Sequence, residues 1–382
     1  MAVALWSYIA IYQAQPEGRP DLIDRLGPRG RRGRRAAVVL ALASLPTIAV
    51  LAPSAAGTAP VAVLSSGADE VFPAVGDGVL MWAQNTRDRP RHYDTFVRTA
   101  GGTRRQVNAP GTLGWSGDVD GARVIYQQVT EHRSRPDRSD LHTFDLATLT
   151  RGSVEGVNTS LWEWQPSMSG DLVLFGRNNI NIQTDEWQQV LLYDRSSLET
   201  RILDQVGGRR RWLGPGQVNG NFATWERCEP RVVDCDVLVY EVDTQTVTEL
   251  DDGGVQQLSG AVAADGTAYV MRIGGSDQYK CGLNVRIVRF PLGGSGTVIA
   301  TIPRGKGIFT MGVHTNIDGS DTLVFDRFDC DTGYGDIFRL DDADTATAAT
   351  ATLTREATGV GPLPSSLSRT KTGLAHTAPP DR

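Results

Sequence analysis

Apolar positions along this chain fall into short runs, each bounded by glycine and small polar residues. Six of the runs follow one kind of punctuation: Asp77-Gly78, Asp120-Gly121, Ser169-Gly170, Asn219-Gly220, Asp265-Gly266 and Asp318-Gly319. Behind these stand Val79–Trp82, Val124–Tyr126, Leu172–Phe175, Phe222–Trp225, Ala268–Met271 and Leu323–Phe325. Each run is too short for a helix and rich in aromatic or branched side chains, which predicts a buried strand. Asp-Gly and Asn-Gly are strong hairpin signals, because a type I′ turn needs positive φ at both central residues. A strand before each turn is therefore predicted to pair with the strand after it.

A polar loop of variable length follows, then a second apolar stretch. These later stretches end near Arg98, Phe144, Tyr193, Tyr240, Val288 and Leu340, in steps of 46, 49, 47, 48 and 52 residues. A further polar turn, as at Asp243-Thr244-Gln245, leads to a short outer strand such as Thr246–Leu250. No helical period occurs in this part of the chain. Four strands in every ~40–50 residues is the pattern of a propeller blade. The prediction is an all-β, six-bladed β-propeller with four antiparallel strands per blade, over residues 60–358. Radial stacking buries sheet faces that one blade alone leaves open. A pair of stacked sandwiches is the rival, and the regular spacing argues against it. Two segments compete to close the ring as an outer strand, Pro60–Leu64 and Ala351–Thr354.

The first 56 residues read as an address. Arg29, Arg31, Arg32, Arg34 and Arg35 precede Ala36–Ala52, a run of 17 residues without charge. Small residues at Ser54 and Ala56 then offer a cleavage site, so residues 29–56 are expected to be a secretory signal cut near Gly57. The alternative is an uncleaved signal-anchor, although a spanning helix wants roughly 20 apolar residues and this run contains Pro46. Residues 1–28 are read as an N-terminal extension or a start codon placed too early. Residues 359–382, rich in Pro, Ser and Thr, are expected to be a disordered tail.

Composition supports a folded, exported protein. The 382 residues are 40% hydrophobic and 21% charged, enough apolar material for a core and too much for a disordered chain. Seven arginines against three acids lie in residues 1–56, so the formal charge moves from −6 for the whole chain to −10 without them. Nucleic acid and anionic lipid both demand a basic footprint, which excludes nucleic acid and leaves the membrane only an uncleaved N-terminus. The expected state is a monomer, secreted or at the cell envelope.

The repeat resembles the TolB-like six-bladed propellers, which carry an Asp-Gly turn between the two inner strands and a later Tyr-x-x-Asp-like strand. Ala264–Tyr269 matches best, with Tyr193-Asp194 and Phe144-Asp145 in later strands. The resemblance spans roughly residues 60–355 and is one of fold, since the usual Ser-Pro before Asp-Gly is missing from every blade. TolB-like propellers serve as exported, non-catalytic protein-binding modules and also occur fused to peptidases. The resemblance thus implies a binding module for a protein, peptide or glycan.

Catalytic motifs are sparse. The chain has no Gly-x-Ser-x-Gly, no His-Glu-x-x-His and no P-loop or dinucleotide fingerprint, which removes the attached-peptidase and zincin readings. A glycan hydrolase or lyase with carboxylates in the channel is the alternative function; Glu163, Asp185 and Glu186 are its candidates, read otherwise as solvated loop acids. No cofactor is expected, the nearest candidate being calcium at Asp329, Asp331 and Asp336, in a loop that begins like a calcium site but lacks the terminal Glu.

Aromatics recur in register. Phe72, Trp115 and Trp164 each lie six residues before a turn glycine, Trp162 and Trp212 eight before one. Trp115, Trp162, Trp164 and Trp212 are the candidate ligand-binding residues, as stacking platforms on one face; packing between blades is the competing role. Four cysteines in an exported chain permit disulfides. Cys228 and Cys235 flank one inter-strand loop, whereas Cys281 and Cys330 fall in the equivalent loops of the next two blades. The expected pairs are Cys228–Cys235 and Cys281–Cys330.

Overall fold

In the computed structural model the described residues run from 60 to 350, apart from 87–88, 103, 131–137, 180–186, 209–210, 230–234, 251–255, 274–282, 306–309, 329–333, 342 and 344–348. All regular structure among them is β. After β1 (Val61–Leu64), the first blade is β2 (Glu70–Gly76), β3 (Val79–Thr86), β4 (Arg89–Arg98) and β5 (Arg104–Gln106). The second is β6 (Leu113–Asp120), β7 (Arg123–Thr130), β8 (Arg138–Asp145) and β9 (Thr150–Ser153). The third comprises β10 (Trp162–Ser169), β11 (Leu172–Asn178), β12 (Trp187–Asp194) and β13 (Glu199–Gly207). In the fourth stand β14 (Trp212–Asn219), β15 (Phe222–Cys228), β16 (Cys235–Glu241) and β17 (Thr246–Glu249). Blade five holds β18 (Gln257–Val262), β19 (Ala268–Ile273), β20 (Leu283–Phe290) and β21 (Thr297–Gly305). Blade six has β22 (Met311–Thr315), β23 (Asp321–Phe328) and β24 (Gly335–Leu340), and the last element is β25 (Ala349–Thr350).

Blades one to four are four-stranded antiparallel meanders, β18–β21 and β22–β24 continue the pattern, and the six-bladed all-β propeller expected from the sequence is what the strands build. Ring closure falls to the N-terminal candidate. β1 pairs antiparallel with β24 as the outer strand of blade six, so the first and last parts of the propeller share one sheet. β25 lies instead parallel to β21, adding a fifth strand to blade five. Ala351–Thr354, the other candidate, lies outside the described residues.

The core is a series of layers between successive blades. Met81 and Val97 of blade one meet Val124 and Tyr126 of blade two; Ile125 and Leu141 meet Phe175 and Leu191 of blade three. Central strands are buried on both faces, so β7 and β23 show almost unbroken burial and not an alternation, with Gln127, Gln128 and Asp326 buried beside the apolar runs Val124–Tyr126 and Leu323–Phe325. Each fully buried aliphatic or aromatic side chain contributes about 1.5–3 kcal/mol.

All six turn glycines have positive φ, but the expected type I′ geometry holds only at Asp77-Gly78, where φ is 46° and 75°. In blades two to four the strands pair one residue closer to the turn, Asp120 with Arg123, Ser169 with Leu172 and Asn219 with Phe222. Glycine is then the first central residue and the only one with positive φ, the type II′ pattern. In blades five and six the connection is one residue longer and the glycine ends a β-turn within it, with Gly266 N–H donating to Ala263 O and Gly319 N–H to Asn316 O. The displaced polar residue bonds to the next blade instead. Asp120 Oδ2 accepts Gly170 N–H (2.9 Å) and Ser169 Oγ accepts Gly220 N–H (2.9 Å). That residue of one blade thus holds the turn of the next.

Candidate functional site

The innermost strands are interrupted. Pairing skips between Val71 and Ala74, Gly114 and Gly117, Trp164 and Ser167, Pro215 and Val218, and Leu258 and Ala261. Only β22 keeps a regular register. Such bulges bend the strand and free residues from the ladder. The freed residues, with Thr310 just before β22, line an axial cavity of about 40 Å³ to which all six blades contribute: Phe72, Ser116, Gln165, Gln217, Ser259 and Thr310. The neighbouring backbones come so close here that a Cβ on Gly216 would stand 2.4 Å from Gly260 O.

Blades one, three and five share a further device. Phe72, Gln165 and Ser259 have φ of 56°, 49° and 53°, a region that costs a non-glycine residue about 1–2 kcal/mol. Each N–H is captured by a side chain on the second strand of the preceding blade. Phe72 donates to Asp326 Oδ2 (2.9 Å), Gln165 to Gln127 Oε1 (3.3 Å) and Ser259 to Glu226 Oε2 (3.0 Å). The even-numbered blades therefore supply acceptors and the odd-numbered blades the strained donors, giving the ring a threefold repeat within its six blades.

Gln217 has the longest reach. Its Nε2 donates to Val313 O (2.7 Å) and its Oε1 accepts Val313 N–H (2.9 Å), joining blade four to blade six past blade five. Asp118 binds blade two to blade three, accepting from Ser167 Oγ and from Met168 N (3.3 Å). Ser167 Oγ in turn accepts Val218 N–H (2.9 Å), carrying the chain on to blade four.

Asp118 and Glu226 are the acids on the cavity wall, which bears no Lys, Arg or His among the described residues. Burial pushes the Asp118 carboxyl up to about 7, against the opposing bonds from Ser167, Val119 and Met168. Burial also raises Glu226, although Ser259 N–H and Trp212 Nε1 (3.2 Å) both donate to it. A second acidic pair marks the seam where the ring closes. Burial raises Asp69 and takes Glu70 up to about 7. Asp69 accepts Gly335 N–H of blade six (2.7 Å) and Tyr93 Oη of blade one.

The four candidate tryptophans gather at the seams between blades. Trp115 stacks on Tyr93 with ring centroids 4.6 Å apart and meets Phe72 edge-on at 5.9 Å. Half-buried Trp162 packs against the same cluster. Trp164 lies 4.8 Å from half-buried Trp212. Trp115 and Trp164 are 8% and 7% exposed, and their indole Nε1 atoms have no hydrogen-bond partner.

Glu163 is not a solvated loop acid. It sits fully buried in β10, paired with Arg177 Nε (2.9 Å) and bonded by Thr159 Oγ1 (2.6 Å), and burial raises its pKa. Asp185 and Glu186 lie outside the described residues, as do Asp329 and Asp331 of the expected calcium loop; Asp336 lies in β24. Among the described residues no group of three His, Cys, Asp or Glu side chains could hold a metal ion. Cys228 and Cys235 face each other across β15 and β16 and form a disulfide, with Cα atoms 4.0 Å apart. Cys281 and Cys330 are outside the described residues. Sequence reasoning missed Gln217, Asp118, Gln127 and Asp326; the prolines Pro73, Pro166 and Pro215 were an available signal, since proline inside a sheet marks an edge or a bulge.

No family model matches this sequence, and no curated protein matches it. Among solved structures, the fold is similar to an oligogalacturonate lyase in complex with manganese, at 13% identity over 68% of this chain and 73% of that one, TM-score 0.43. The β-propeller domain of the trilobed protease from Pyrococcus furiosus is 11% identical over 72% of this chain and 95% of its own, TM-score 0.45. TolB from Acinetobacter baumannii is 16% identical over 69% of this chain and 63% of its own length, TM-score 0.42. These likenesses concern the fold alone, and the chain is a six-bladed β-propeller that resembles TolB at that level.

Proposed function

We propose that this protein is an exported, non-catalytic binding module that holds a protein, peptide or glycan partner at the cell envelope or outside the cell. The observation that carries the reading is the use made of the cavity acids. Asp118 Oδ2 and both oxygens of Glu226 accept bonds that tie strands or blades together, and Asp118 Oδ1 accepts the N–H of its own neighbour Val119. Each of these four oxygens already holds a scaffold donor, so a substrate would have to share the carboxyl with the bonds that hold the strands. Gln217 adds a hydrogen-bonded bar between blades four and six. The buried Cys228–Cys235 disulfide suits an oxidising compartment, as do the basic, apolar and small-residue segments at the N-terminus.

A glycan hydrolase or lyase is the second reading, on one observation: a cavity-lining carboxyl raised to about 7 has the protonation of a general acid. The exported protein, incubated with a panel of soluble acidic and neutral polysaccharides, separates the two. Retention of an intact glycan or an envelope protein, with no new reducing or unsaturated ends, supports the module. Cleavage that disappears in Asp118→Asn while the melting temperature holds would establish the enzyme instead.

A further inference from the structure

The outermost strand of a blade leaves one row of backbone N–H and C=O groups open to pairing. Most of these edges are blunted here. β1, β5, β9 and β17 have only three or four residues, and β21, with nine, is paired at Ala300 and Thr301 by β25. β13 is equally long, nine residues, yet it ends its sheet, and no described strand pairs with its outer side. Its first four residues, Glu199–Ile202, are all exposed. Leu198 and Ile202 are 70% and 52% exposed, among the few large apolar side chains left in solvent. Leu198 adopts φ of 61°, as Leu149 does in the equivalent turn of blade two.

The segment Leu198-Glu199-Thr200-Arg201-Ile202 is complementary to itself in the antiparallel sense. We infer that β13 pairs with β13 of a second copy of this chain about a two-fold axis at Thr200. Thr200 then lies opposite Thr200, Glu199 opposite Arg201 and Leu198 opposite Ile202, each unlike pair occurring twice. Opposite charges and apolar pairs directly across an antiparallel ladder are the favourable combinations, and a self-complementary patch is what a two-fold interface requires. The ion pairs occupy one face of the extended sheet, and Leu198, in the turn that leads into β13, meets Ile202 at the end of the ladder. Register is specified as well. Sliding the axis to Glu199 or to Arg201 sets two like charges directly opposite, which is unfavourable. The pairing ends at Leu203, where β13 bulges away from β12. Arg201 is held at the edge by its bond to Tyr240 Oη of blade four. Five residues a side make a weak, reversible dimer, in place of the monomer expected from the sequence.

Sedimentation velocity on the purified full chain, over a concentration series, reads the association directly. A monomer–dimer equilibrium is expected, with Glu199→Arg and Arg201→Glu each raising the dissociation constant about tenfold. The double variant carrying both changes restores the complementarity and returns the constant close to that of the unaltered chain. Thr200→Cys should yield a residue-200 to residue-200 intermolecular disulfide under mild oxidation, a readout that survives if loss of the Tyr240 contact unfolds Arg201→Glu. A monomer at every concentration, or a dimer that ignores the charge variants and gives no such link, overturns the inference.

Discussion

Truncating Gln217 tests the axial construction most sharply. Gln217→Ala removes two hydrogen bonds, to Val313 N and Val313 O, at 2.9 and 2.7 Å. Val313 is 1% exposed and Gln217 7%, so the orphaned N–H and C=O lie where leaving a polar group unpaired costs about 1–3 kcal/mol each. The cavity beside them can admit water, which recovers part of that cost; the net loss is about 2–4 kcal/mol. At roughly 2 °C per kcal/mol for a domain of this size, the melting temperature should fall by about 4–8 °C. Gln217→Glu refines the test. The introduced side chain, when protonated, can donate to Val313 O and accept from Val313 N, as the amide does, whereas its carboxylate form has nothing to donate. Burial raises the folded pKa of such a group, so its stabilisation is present below the unfolded pKa and is lost as pH rises through the folded one. Thermal melts by circular dichroism at pH 4.5 and 8 should therefore place Gln217→Glu near the unaltered protein in acid and near Gln217→Ala in base, each compared with the unaltered protein at the same pH. A Gln217→Ala melting temperature within about 1 °C of the parent, with no pH dependence in Gln217→Glu, would refute the bridge.

Three further outcomes are expected. Asp118 and Glu70, both raised to about 7, bind protons more tightly folded than unfolded. Their stabilisation is therefore full below about pH 4 and lost as pH rises through 7, and chemical denaturation should show Asp118→Asn or Glu70→Gln losing less stability between pH 5 and 8 than the parent, by on the order of 2 kcal/mol. Replacing Cys228 and Cys235 by serine should cost about 2 kcal/mol in the chain-entropy model for so short a loop; non-reducing peptide mapping of the parent must show the 228–235 link, and its absence would count against the bridge. Gly220→Val places a β-branched side chain at φ of 55° and should lower stability by about 1–3 kcal/mol; an unchanged urea midpoint would refute the turn assignment in blade four.

Legibility from sequence followed the range of the interaction. The turn glycines were readable because positive φ is a property of one residue, and all six have it. Turn type was not, since it depends on whether the ladder closes at Gly76 with Val79 or one residue further in, at Asp120 with Arg123. The 228–235 disulfide was readable because both cysteines border one hairpin loop. Ring closure turned on whether β1 or a later strand meets β24, a choice between segments of equal β-forming character. Pro215 marks the bulge beside Gln217, but nothing local marks its partner, which lies 96 residues along the chain.

The misreading of Glu163 shows how acids work in this ring. A carboxylate in a loop and one in an inner strand look alike in sequence, yet Glu163, Asp118, Glu226 and Asp326 are all strand residues. Bulged innermost strands release backbone N–H groups that the ladder no longer satisfies, and buried N–H groups require acceptors. For the N–H groups of Phe72, Gln165 and Ser259 the acceptor that crosses the gap is a side chain. Asp326 and Glu226 do this for Phe72 and Ser259, and neutral Gln127 does it for Gln165. That an amide serves one of three equivalent places indicates that the position demands an acceptor and not a charge. Glu226→Gln should accordingly keep its melting temperature within about 2 °C of the parent if its amide oxygen faces Ser259 N–H, whereas Glu226→Leu, which leaves that N–H unpaired, should lose several degrees. Equal losses in the two variants would show that the charge, and not the acceptor, holds the bulge.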